Sequence, residues 1–131
     1  MRWLPTCLLV ASGLHKLRFM LDRLAGKLEQ YMDLLSARQK LVASNIANAD
    51  TPGYKTKDID FQTEFLNAAG GMVPHAIEAR GLAVRNDGNN VSIDREARLL
   101  AENDLRFNIA TNLLRGQIRT VREAIQEGKS G

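Results

Sequence analysis

The chain has one cysteine, Cys7, and two histidines, His15 and His75. It can form no internal disulfide and no metal site built from several cysteine or histidine ligands. Aromatic residues make up 5%, and the single tryptophan, Trp3, falls in an atypical N-terminal stretch. So few large rings argue against a thick compact core. Charge of one sign is also missing from the body of the protein. The formal net charge of +3 comes from Arg2, Lys16 and Arg18, in a stretch without acids, and the basic and acidic residues beyond position 19 number 15 each. Overall charge therefore gives no footing for nucleic-acid binding. The longest apolar run, residues 3–14, is interrupted by Pro5 and Gly13 and is too short to cross a bilayer as a helix.

Catalytic groupings are absent in the same way. Asp58 and Asp60 lie among lysines in an expected loop and read as solvated. His75 has no candidate nucleophile near it in sequence and reads as a surface histidine. Gly70-Gly71 lacks the lysine and the strand–helix setting of a phosphate loop. No cofactor, metal or small-molecule substrate is expected, and the chain does not read as an enzyme. Arg115, Arg119 and Arg122 recur at helical spacing, but Glu123 and Glu127 lie close by, so they read as a solvated or subunit-contacting stripe.

What is present is helical periodicity at both ends. Residues 1–19 read as an upstream extension of a protein that starts at Met20, with a signal-like segment as the alternative; Leu4-Pro5-Thr6-Cys7 comes too early and carries a proline, so it makes a poor lipoprotein box. They are set aside from the fold. Residues 20–48 then predict a first long helix. Leu21, Leu24, Leu28, Tyr31, Leu35 and Val42 form its seam, with polar Arg38 and Asn45 in the remaining slots and Leu34, Leu41 and Ile46 widening the apolar face. Pro52 stops it, and Pro52-Gly53 suits the centre of a type II turn. Asn45, Asn48 and Asp50 are expected to bond local backbone and loosen the last turns, with amides left to bridge to neighbouring chains.

Residues 49–93 read as a mostly irregular region with a short apolar patch at Phe61, Phe65 and Leu66. A small β-hairpin is predicted over residues 81–93, where Leu82 and Val84 alternate before an Asp87-Gly88 turn and Val91 and Ile93 alternate after it. Residues 94–128 predict a second long helix with Asp94 as N-cap and Gly128 as its stop. Leu100, Phe107, Leu114 and Val121 repeat every seven residues, and Ala97, Asp104, Thr111, Ile118 and Ile125 form a companion row. The fold class is thus mainly α: two long terminal helices in an antiparallel, coiled-coil-like pair around an irregular middle with a small hairpin. Two such narrow seams bury little in one copy against a chain entropy of about 1 to 2 kcal/mol per residue. This points to self-association. A helical adaptor that binds a partner helix is the alternative.

The run Leu41-Val42-Ala43-Ser44-Asn45-Ile46-Ala47-Asn48-Ala49-Asp50-Thr51-Pro52-Gly53-Tyr54-Lys55 resembles the N-terminal motif of bacterial flagellar rod and hook proteins. Asp58-Ile59-Asp60-Phe61 and Asp87-Gly88-Asn89-Asn90-Val91-Ser92-Ile93-Asp94-Arg95-Glu96 are similar to the type B proximal rod members of that family. The resemblance implies a structural subunit of the basal-body rod that leaves the cytoplasm through the flagellar type III export apparatus. Its terminal segments would become helical on assembly into a periplasm-spanning tube. Its partners would be copies of itself, other rod proteins, the rod-base adaptor and the export gate. On that view Leu28, Leu35, Leu100, Phe107, Leu114 and Ile118 drive packing, while Asn45, Asn48, Thr51, Pro52, Gly53 and Tyr54 shape the joint between core helix and outer loop.

Overall fold

The structure is a computed structural model that describes residues 6–67 and 73–129. Helix α1 spans Thr6–Ala47 and helix α3 spans Ile93–Lys129. At 1.5 Å per residue they are about 60 and 55 Å long. Between them lie strand β1 (Lys57–Ile59), a short helix α2 (Phe61–Asn67) and strand β2 (Ala76–Glu78). The two long helices run antiparallel: Asn45 meets Glu96, Leu35 meets Asn103 and Leu21 meets Gln117. Strands β1 and β2 pair antiparallel, with Asp58 opposite Ile77. The expected architecture of two long helices and a small two-stranded element in the middle is therefore present. Among the described residues, no helix is long and apolar enough to cross a membrane.

Several local expectations are corrected. Helix α1 begins at Thr6, so Met20 lies inside it rather than at its start. The strands are residues 57–59 and 76–78, not the two arms of 81–93. The Asp87-Gly88 turn does form, closed by Gly88 N–H donating to Arg85 O (2.9 Å) and Arg85 N–H to Asn89 O (2.8 Å). Its arms part at once, because Asn89, Asn90 and Val91 are drawn under the end of α1 and Ile93 enters α3. The patch Phe61, Phe65 and Leu66 is helical. Phe61 and Phe65 of α2 meet Tyr31 edge-on, with ring centroids 5.2 and 5.9 Å apart, while Leu66 is exposed. Ser92, not Asp94, sits at the N-cap of α3, its Oγ accepting from Arg95 N–H. Gly128 falls within α3 instead of ending it. Gly70-Gly71 lies outside the described residues.

The core is thin and lies toward the end of the helix pair that carries the loops. Its buried apolar side chains are Leu34, Leu35, Val42, Ile59, Val91 and Ala110. An equal share of the buried positions is polar: Asn45, Thr56, Asn89, Asn90, Glu96 and Asn103. Buried polar groups persist only when hydrogen-bonded, so this end of the molecule is a bonded network as much as an oily core.

Candidate functional site: a polar joint and two exposed apolar rows

Asn45 is the centre of the network. Its Nδ2 donates to Lys57 O (2.8 Å) and to Glu96 Oε2 (3.0 Å), and its Oδ1 accepts from Lys57 N–H (3.0 Å) and Tyr54 OH (3.2 Å). It is fully buried. One side chain thus ties α1, β1, the Pro52-Gly53 turn and α3 together. The other oxygen of Glu96 accepts from Arg95 (2.6 Å), which also bonds Asp58 (2.6 Å). Arg38 of α1 reaches the same Asp58 through Nε (3.0 Å) and a second nitrogen (3.2 Å). Two arginines and two carboxylates therefore close a charge-balanced chain across three elements. Burial raises the Asp58 pKa, but the bonds from Arg38, the Ile59 amide and Arg95 outweigh it and hold the carboxyl below its ordinary value. Asp58 is a structural anchor, contrary to the expectation that it is solvated. Asp60 is exposed as expected, and its carboxyl is lowered by the Thr63 hydroxyl and backbone amide.

Asn89 closes the end of α1. Its Nδ2 donates to Asn48 O (3.0 Å) and Thr51 O (2.8 Å), carbonyls of the turns that follow α1, which also accept from Thr51 N–H and Tyr54 N–H. Its Oδ1 accepts from Val91 N–H (2.7 Å). Thr56 N–H donates to Asn90 Oδ1 (2.7 Å), and Lys55 Nζ to Gly88 O (2.8 Å). Gly53 N–H donates to Asp87 O (2.8 Å), and Gly53 and Gly88 both have positive φ. They face each other so closely that a β-carbon on Gly88 would lie 3.4 Å from Gly53 Cα. The stretches 41–55 and 87–96, distant in sequence, form one unit.

Within that unit Asn48 and Thr51 are more peripheral. Asn48 Nδ2 donates to Ser44 O (2.8 Å) and its Oδ1 accepts from Thr51 Oγ1 (3.2 Å), both exposed bonds. Asn45, expected to serve the last turn or a neighbouring chain, is instead satisfied within its own chain and fastens the helix end.

The expected packing residues separate into two groups. Leu35 is buried, and Leu28 and Leu114 are half-buried. Leu100 (37% exposed), Phe107 (39%) and Ile118 (52%) face solvent. The row of α3 that meets α1 is Glu96, Asn103, Ala110 and Gln117, not the apolar heptad row. Asn103 donates to Leu35 O (2.8 Å) and Gln39 Oε1 (2.9 Å), and Gln117 to Leu21 O. Apolar positions recur on the exposed surfaces of both legs: Leu17, Phe19, Met20 and Leu24 on α1, and Leu100, Phe107, Ile118, Val121 and Ile125 on α3. Toward the ends of the legs, Leu17, Leu21, Val121 and Ile125 border an open groove of about 760 Å³. Among the described residues, no group of histidine, cysteine or acidic side chains could hold a metal ion.

The structure is an open helix pair clamped at one end by two glycine- and asparagine-rich motifs, with unburied apolar rows along its legs. The sequence profile described as flagella basal body rod protein matches residues 32–55, which carry the end of α1 and the turn. The flagellar basal body rod protein FlgB of Yersinia ruckeri is 31% identical, covering 83% of this chain and 100% of that protein. Its counterpart in Salmonella typhimurium is 32% identical over 83% of this chain and 99% of its own length. That of Cereibacter sphaeroides is 37% identical over 74% and 89%. The chain belongs to the FlgB family of flagellar basal body rod proteins.

Proposed function

We propose that this chain is a structural subunit of the proximal rod, without enzymatic activity. It is exported by the flagellar type III apparatus and assembles as a helical tube that transmits torque. The carrying observation is the exposed apolar surface along both legs, which water disfavours at roughly 25 cal/mol per Å². Neighbouring subunits cover these rows, and the joint holds the two legs at a fixed angle to the outer loops. In this reading the lateral partners are other copies and other rod subunits, and the rod-base adaptor and export gate are met at the base.

Leu114→Asp tests the packing role. It puts a carboxylate at a half-buried position within the apolar row of α3, while the chain that is exported stays otherwise unchanged. The expected outcome is loss of swimming with undiminished appearance of the protein outside the cytoplasm, read by immunoblot of fractionated cells. Normal swimming would overturn the packing role.

A further inference from the structure

The helix pair contains a contradiction of hydrophobicity. Helix α1 offers α3 an aliphatic row spaced by seven: Leu21, Leu28, Leu35 and Val42. Helix α3 has an apolar row of the same period, Leu100, Phe107, Leu114 and Val121. Burial of apolar area alone would press these two rows together. The structure instead turns Glu96, Asn103, Ala110 and Gln117 toward α1. The two rows of α3 differ by four positions, so a roll of about 40° about the helix axis would exchange them.

We infer that Asn103 and Gln117 are specificity-determining residues that select which face of α3 meets its own α1, and so keep the apolar row free for a neighbour. Each amide nitrogen donates to an α1 backbone carbonyl, Leu35 O and Leu21 O, and these acceptors are spaced by fourteen residues just as the donors are. Asn103 adds a bond to Gln39 Oε1 (2.9 Å). The joint fixes the same face at the upper end through Glu96 and Asn45. Ala110 sits between the two amides, 2% exposed, where its small side chain lets the helices approach. The selection works against stability, because Asn103 Oδ1 and Gln117 Oε1 are buried without hydrogen-bond partners among the described residues. Polar side chains at the seam of a helix pair give up stability for a defined arrangement in this way. The inference stands on the geometry of the helix pair and does not depend on the rod reading.

The test is thiol accessibility in the full chain with Cys7→Ser as background. Val121→Cys reports the apolar row, and Arg119→Cys, two residues away and on the opposite side of α3, is the control. Adding Asn103→Leu and Gln117→Leu should let α3 roll. Alkylation at position 121 then slows severalfold and at position 119 stays the same. Equal rates at position 121 with and without the leucines would overturn the inference, as would equal slowing at both positions. Gln117→Leu alone, at the more thinly packed end, carries the same expectation if circular dichroism shows that the double substitution loses helicity. An unchanged rate at position 121 in that variant would also overturn it.

Discussion

Replacing Asn45 with alanine is the sharpest probe of the joint. The substitution removes four hydrogen bonds at one fully buried position. The bond to the Glu96 carboxylate is charge-assisted and contributes about 1.5 to 3 kcal/mol, and the bonds to Lys57 N–H and Lys57 O about 1 kcal/mol each. Tyr54 OH keeps a second neighbour in Ser44 Oγ (3.3 Å), so its loss adds little. The expected destabilisation of the joint is about 3 to 5 kcal/mol. Asn48→Ala, three residues on, breaks two exposed bonds and should cost about 1 kcal/mol or less. Native-state hydrogen exchange at the amides of Thr56 and Val91 reads the difference, since both are bonded within the joint to asparagine oxygens. At tenfold per 1.4 kcal/mol, Asn45→Ala should lower their protection by at least about a hundredfold, and Asn48→Ala by less than about tenfold. Equal effects of the two substitutions, or unchanged protection in Asn45→Ala, would refute the assignment of Asn45 as the hub.

Three further outcomes are expected. Gly88→Ala places a β-carbon at φ +81° against Gly53 and should destabilise the joint by roughly 1 to 2 kcal/mol, measured by the same exchange experiment. Asp58 holds its proton less tightly folded than unfolded, so its stabilisation is complete above the ordinary carboxylate pKa and disappears as pH falls through the lower folded value. An acid titration of Thr56 and Val91 exchange should therefore show protection falling below about pH 4, with a smaller fall in Asp58→Asn. Diluted full-length chain should show weak helicity that rises with concentration, and a concentration-independent cooperative melt by circular dichroism would count against assembly-coupled order.

The two long helices were legible because their apolar spacing persists over many turns, and the turn at residues 51–54 because proline and glycine restrict the backbone there. The meeting of the two motifs was not legible from periodicity, since Asn45 and Asn48 look alike in sequence. Only the fold places one against Glu96 and leaves the other at the surface. The face of α3 was misread for a physical reason. Heptad analysis ranks rows by apolar content, whereas the orientation here follows from hydrogen bonds made by Glu96, Asn103 and Gln117. Asp58 was misread because a carboxylate among lysines gives no hint of Arg38 and Arg95 arriving from two other elements. The strand pairing escaped because three-residue strands carry no measurable alternation. A signal for the asparagine cluster did exist, in the crowding of Asn89 and Asn90 after an Asp-Gly turn.

The pairing of Thr56 with Asn90 sets the two ends of the intervening chain side by side. The polypeptide leaves the clasp after Thr56 and returns to it at Asn90, and between those points β1 pairs with β2 and α2 rests on Tyr31. A longer excursion in place of residues 60–86 would forfeit the α2 contacts with Tyr31 and the β1–β2 pairing, and beyond these would cost loop closure, which grows by only about 0.6 kcal/mol for each doubling of length. The same base can therefore carry outer modules of very different size, like a socket that accepts any bulb.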